Sequence, residues 1–201
     1  LETPYDGLSV SQWRERTLEL IRNHPLDTNE LYNVVLKVWN DIFTSELGSK
    51  PFKIGVDIFP RPQIMAFLLH ELIPLELSHR YQGIWRREDS PDEKDLVYIP
   101  DPLHSIEIKC SSSAKNIYGN RSYVQEGQKT RKSKSGYYLA VNFQKFSKTV
   151  RKPGIMLVRF GWLDYTDWIG QVAETGQQAR LSSEAERFKL ISLPVEIQNS
   201  P

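Results

Sequence analysis

Asp95-Leu-Val-Tyr-Ile99, a turn around Pro100-Asp101-Pro102, and Ser105-Ile-Glu-Ile-Lys109-Cys110 form the stretch on which the reading of this chain turns. It predicts a β-hairpin. Side chains alternate along a strand, so Glu107 and Lys109 share one face while Ile106 and Ile108 point the other way into a core. If odd-numbered residues oppose odd-numbered ones, Asp95 lies beside Glu107, close enough for both carboxylates to hold one divalent metal ion. Two acids and a lysine on one face suit the cutting of a phosphodiester.

The rest of the chain bounds what this hairpin sits in. With 201 residues, 39% of them hydrophobic, and Trp13, Trp39, Trp85, Trp162 and Trp168 among them, the chain can bury one sizeable core. A single domain over 1–201 is expected, with a helical N-terminal region at 1–50. Cys110 is the only cysteine, which excludes an intramolecular disulfide and a cysteine-rich zinc site and fits a reducing compartment. No apolar run approaches a membrane span and no signal peptide is recognisable, so a cytoplasmic protein without membrane contact is expected. The formal net charge of +1 conceals a strong segregation. From Gly127 to Leu163 there is no Asp or Glu, but there are Lys129, Arg131, Lys132, Lys134, Lys145, Lys148, Arg151, Lys152 and Arg159. Just before this block lie Glu88, Asp89, Asp92, Glu93, Asp95, Asp101 and Glu107. A basic surface bordering an acidic, metal-holding site fits attack on a polyanion.

Three helices precede the hairpin. Ser9 and Gln12 have capping-box spacing, and Trp13, Thr17, Leu20 and Ile21 share a face until Asn23-His24-Pro25 stops the segment. Asp27 and Glu30 repeat the cap ahead of the stripe Leu31, Val34, Val35, Val38, Ile42 and Phe43, which ends near Leu47-Gly48. A third helix opens at Pro62 and runs through Ile64, Met65, Phe67, Leu68, Leu69 and Leu72 to a break at Pro74; being apolar almost all round, it is expected to be buried. Glu71 is out of place in it, near the end where the helix dipole disfavours a carboxylate. It is read as a third acid for the metal site, the alternative being a partner in Arg80 or Arg86.

After the hairpin, 136–143 and 155–160 read as strands, giving an α/β (α+β) fold with a mixed β-sheet flanked by helices. The long polar stretch at 112–136 exceeds ordinary connection lengths and is read as a DNA-binding loop. Lys115, Asn116, Asn120, Arg121 and Ser122 suit base edges or phosphates, and Lys129, Arg131, Lys132 and Lys134 suit the backbone. Gln177, Gln178 and Arg180 in the tail are similarly rich in hydrogen-bonding groups. Other chemistries fit less well. His24, His70, His79 and His104 have no metal-ligand spacing, and there is no HExxH motif, nucleophile elbow or phosphate-binding glycine loop. A two-carboxylate glycosidase would leave Lys109 and the basic block without a role.

Asp95 followed by Glu107-Ile-Lys109 resembles the PD-(D/E)xK nuclease signature, with Glu71 matching the helical glutamate that some members add. The longer run is more specific: Pro62-Gln-Ile-Met-Ala-Phe-Leu-Leu-His-Glu71-Leu, Lys94-Asp-Leu-Val-Tyr-Ile-Pro, Ser105-Ile-Glu-Ile-Lys, Gly119-Asn-Arg-Ser-Tyr, Lys134-Ser-Gly-Tyr-Tyr-Leu-Ala-Val-Asn-Phe, Gly161-Trp-Leu-Asp and Thr175-Gly-Gln-Gln-Ala-Arg-Leu. Over nearly the whole chain it resembles the ScaI family of type II restriction endonucleases. No proline precedes Asp95, and the Pro-Asp pair at 100 and 101 sits in the turn too near Glu107, so the acid is assigned to Asp95 and not Asp101. The resemblance implies a restriction-endonuclease-like core and a homodimer that uses Mg²⁺ to cut a short palindrome in double-stranded DNA. Asp95, Glu107 and the carbonyl of Ile108 would hold the ion, with Lys109 and Glu71 completing the catalytic set. A repair or recombination nuclease of the same fold, and a DNA-binding regulator with structural acids, are the alternatives.

Overall fold

The computed structural model describes residues 3–124, 133–172 and 176–195. In chain order the elements are α1 (Val10–Arg22), α2 (Thr28–Thr44), β1 (Glu46–Leu47), β2 (Phe52–Lys53), α3 (Pro62–Arg80), β3 (Trp85–Arg87), β4 (Leu96–Tyr98), β5 (Ile106–Ser111), β6 (Tyr118–Asn120), β7 (Gly136–Phe143), β8 (Ile155–Leu163), β9 (Trp168–Gly170), β10 (Gln178–Leu181), α4 (Ser183–Phe188) and β11 (Leu190–Ser192). The helix starts follow from the caps. Gln12 accepts from the Ser9 N–H at 3.0 Å, and the Asp27 side chain accepts from the N–H groups of Asn29 and Glu30. Among the described residues, no helix is long and apolar enough to cross a membrane.

A mixed six-stranded sheet in the order β11-β8-β7-β5-β4-β3 carries the structure. β5 and β7 run parallel at its centre, with Glu107 opposite Tyr138 and Lys109 opposite Ala140; the other pairs are antiparallel. The sheet's two faces have separate cores. Ile106, Ile108, Tyr137, Leu139 and Val141 join residues of α1, α2 and α3 in one cluster. Tyr138 and Ala140 join Ile117, Tyr123, Trp168, Ala179 and Leu181 in the other. That second cluster lies under a small sheet in the order β6-β10-β9, built from the stretch read above as a loop, the segment that follows β8, and the tail.

Two expectations about α3 differ from the structure. The helix does not stop at Pro74 but continues to Arg80, with Pro74, Ile73 and Leu77 buried. An internal proline costs a helix roughly 3 kcal/mol, and burial of Leu77 beyond it, together with Pro74 itself, offsets much of a cost of that size. Nor is the helix buried all round. Met65, Leu69, Ile73 and Leu77 face the core, while Ile64 and Phe67 are 52% and 58% exposed.

Candidate active site

Leu96 lies opposite Ile106 in the β4–β5 pair, and continuing that antiparallel register by one residue sets Asp95 opposite Glu107. Both carboxylates are nearly closed off from solvent, Asp95 at 3% and Glu107 at 2% exposure. Burying a carboxylate is costly unless donors meet it, and here they do. Asp95 Oδ2 accepts the Ile108 N–H at 2.6 Å and lies 3.1 Å from His70 Nε2. Glu107 Oε1 accepts from Lys109 Nζ at 2.7 Å and from the Tyr123 hydroxyl. Lys94 Nζ stands 3.9 Å from Glu107 Oε2 and donates to the Ser133 carbonyl at 2.7 Å.

The electrostatics follow these contacts. Burial pulls the Lys109 amine down, but the Glu107 and Asp95 carboxylates outweigh it and leave the group more firmly protonated than usual. The hydrogen bond to Asp95 raises His70 against the opposing effect of burial. Burial, with Glu107 alongside, pushes the Tyr123 hydroxyl far up, so it acts as a donor. Cys110 is likewise pushed up to about 12 by burial, an inert thiol.

The other residues singled out in the sequence divide by position. Glu71 Oε2 lies 3.2 Å from Arg87 Nη2, a different arginine from the two considered above. One step along a helix is a large rotation about its axis, and it is the neighbouring His70 that reaches Asp95. Lys134 is half-buried with its ammonium 4.4 Å from the centre of the Tyr123 ring. Lys115 and Ser122 are exposed, and Asn116 is half-buried. Asn120 and Gln178 are opposed in the small sheet, where Arg180 faces Tyr118. The Arg121 N–H donates to the Gln177 carbonyl at 2.8 Å. Lys129, Arg131 and Lys132 lie outside the described residues. The sequence reading set His70 aside and gave Tyr123 and Lys94 no part in the acidic site. Only Lys94, adjoining Asp95, carried a signal there, as a second lysine beside the acidic pair.

Tyr123 owes its place to Gly119. A Cβ at 119 would come within 2.8 Å of the Tyr123 ring and 3.3 Å of Trp168, so only glycine lets β6 approach so closely. The same ring stacks edge-on against Trp168 with centroids 4.9 Å apart.

A chain with this geometry can be compared with known proteins. The family model described as ScaI restriction endonuclease matches residues 3–194. The chain belongs to the ScaI restriction endonuclease family. It is 46% identical over 194 residues to the type II restriction enzyme ScaI of Streptomyces caespitosus, covering 96% of this chain and 85% of that protein. No solved structure matches. As a ScaI-family member the chain is a site-specific endonuclease.

Proposed function

We propose that this protein is an Mg²⁺-dependent, cytoplasmic type II restriction endonuclease that acts as a homodimer and hydrolyses both strands of duplex DNA at a short palindrome. The observation that carries this reading is the convergence of Asp95, Glu107 and Lys109, from two adjacent strands, on one spot of the sheet. The donor set suits the ion. Mg²⁺ binds through one or two carboxylates and keeps several waters, and the site offers a pair of carboxylates rather than a cage: among the described residues no group of three or more His, Cys, Asp or Glu side chains is arranged to hold a metal ion. Asp95, Glu107 and the Ile108 carbonyl would hold it. Bound there, Mg²⁺ would supply a Lewis acid that activates water and offsets charge on the scissile phosphate.

The chain's own groups do the rest. Lys109, kept protonated by its carboxylate neighbours, orients the attacking water and meets negative charge as it develops on the phosphate. Tyr123 and His70 touch carboxylates, not substrate, and act as positioning residues that fix the orientation of Glu107 and Asp95. Lys115, Asn116, Ser122 and Lys134, with Lys129, Arg131 and Lys132, contact the duplex. Glu71, paired with Arg87, supports the site from α3. One such centre cuts one strand, and a two-fold dimer matches the symmetry of a palindrome.

Incubation with plasmid DNA tests the reading. Discrete linear fragments are expected with Mg²⁺ and none with chelator, while Ca²⁺, with its larger and looser shell, supports binding but little cutting. Cuts that follow DNA junctions or ends rather than sequence would instead indicate a repair nuclease, and retardation without cleavage a regulator.

A further inference from the structure

We infer that the outward face of the β6-β10-β9 sheet, formed by Tyr118, Asn120, Gln178 and Arg180 with Ile169 at its margin, reads base edges in the DNA major groove, and that Arg121 and Gln177 do not. This rests on the endonuclease reading above and specifies which residues select the site. The register decides the division. Asn120 opposes Gln178, Arg180 opposes Tyr118 on one side and Ile169 on the other, and Gly119 opposes Ala179. Residues directly opposed in an antiparallel pair project to the same face. Gly119 and Ala179 are buried, so their face packs inward. The other face is open: Asn120, Gln178 and Arg180 are exposed, and Tyr118 and Ile169 are 42% and 43% exposed. Beyond the last pair Arg121 opens a 3-10 turn, so its side chain and that of Gln177, though exposed, lie outside the paired face. There the Arg121 guanidinium turns to the Gly176 carbonyl at 3.4 Å and its N–H closes the ladder on Gln177.

The chemistry of the open face fits bases better than phosphates. Two neighbouring amides, Asn120 and Gln178, each offer an oxygen that can accept from adenine N6–H and an N–H that can donate to adenine N7 in the major groove, Arg180 offers the fork that matches guanine, and Tyr118 and Ile169 offer apolar surface for a thymine methyl. The major groove is wide enough to admit a two-stranded β-ribbon such as the β6-β10 pair. The platform is also firmly anchored. The buried Asn142 amide donates to the carbonyls of Ser113 and Asn116 at 2.9 and 3.0 Å. Arg159, also buried, donates to the Lys115 carbonyl and to Asn142 Oδ1, so the segment entering β6 is pinned to β7 and β8. Tyr123, three residues beyond Asn120, bonds Glu107, which places this platform on the catalytic side of the large sheet.

The experiment first sequences the ends of fragments that the wild-type protein releases from a plasmid in Mg²⁺. It then measures binding in Ca²⁺ to a duplex carrying that site and to one of scrambled sequence. Asn120→Ala, Gln178→Ala and Arg180→Ala are each expected to weaken site binding roughly 5- to 150-fold with little change on scrambled DNA, whereas Gln177→Ala leaves the ratio of the two within about twofold. Arg180→Lys, which keeps the charge and the fold, is expected to lose selectivity while retaining the salt dependence. With wild-type protein, a site duplex containing 7-deazapurines, which lack the N7 acceptor, should bind more weakly. Discrete fragments together with undiminished selectivity in the Asn120, Gln178 and Arg180 variants would overturn this inference alone. Absence of discrete fragments from the wild type would overturn the endonuclease reading and this inference with it.

Discussion

The two faces of the large sheet are made by alternate residues of the same strands and each carries an apolar cluster, yet only one of them also holds a pair of buried carboxylates. On one face Ile106, Ile108, Leu139 and Val141 are buried against α1, α2 and α3, where stability comes from apolar area and close packing. On the other, Glu107 and Lys109 stand beside Tyr138 and Ala140, and the buried charge is tolerated because each carboxylate is met by donors from the backbone, Lys109, Tyr123 or His70. The comparison teaches that the apolar face supplies the rigidity with which the polar face holds two acids side by side. Substitutions should therefore separate cleanly, chemistry failing on one face and stability on the other.

The largest effects belong to the acids and the lysine. Asp95→Ala and Lys109→Ala are expected to lower the cleavage rate by on the order of a thousandfold or more while Ca²⁺-supported DNA binding survives, as for interactions made chiefly in the transition state. Loss of folded structure in both would contradict the division of labour. On the opposite face, Leu139→Ala should cost about 2–5 kcal/mol in urea unfolding, with the activity of the protein that remains folded unchanged. A drop in activity without a drop in stability would show that the faces are not separable in this way.

Finer tests follow. Tyr123→Phe keeps the ring under Gly119 and Trp168 but removes the donor to Glu107. It should reduce the turnover rate about 10- to 100-fold and raise the Mg²⁺ concentration needed for half-maximal cutting, with KM for DNA and Ca²⁺-supported binding little changed. A purely structural tyrosine would instead lower the unfolding midpoint and leave the metal dependence alone.

The apolar face also contains a titratable group. His24 packs on Tyr137 and Phe160 with centroids 4.5 and 5.0 Å away, and burial pushes its ring down from 6.5 to about 4. The unfolded chain then binds the proton more readily, so this contribution is complete above about pH 6.5 and is lost as the pH falls toward 4. Between pH 7 and pH 5 it amounts to about 2 kcal/mol, and His24→Asn should flatten that part of the stability profile in urea titrations. The smallest effect is expected of Glu71→Ala, whose partner is Arg87: a change in cleavage rate within about threefold. A loss comparable to Asp95→Ala would place Glu71 in the metal site after all.

What was legible in the sequence was what repeats at short range. The period-two alternation around Glu107 and Lys109 identified the face that carries the buried acids, and the caps at Ser9 and Asp27 marked where two helices begin. What was hidden depended on distant partners. Nothing local to Tyr118–Asn120 announces a strand, because its ladder is completed by Gln178–Leu181, far along the chain. α3 meets Asp95 through His70, whereas the sequence drew attention to the neighbouring Glu71, because sequence does not specify how a nearly all-apolar helix is rotated about its axis. Pro74 misled for a related reason: its local cost is visible in the sequence, whereas the burial of Leu77 beyond it is not.

The central claim is that the buried Asp95–Glu107 pair is the hydrolytic centre, and Glu107→Gln tests it most directly, since it keeps the size and hydrogen-bonding capacity of the side chain and removes only the charge. Plasmid is incubated with wild-type and variant protein in Mg²⁺, in parallel with a band-shift measurement in Ca²⁺. The account predicts discrete fragments from the wild type, none from the variant, and a band shift from both. Cutting by Glu107→Gln at the wild-type rate would contradict it.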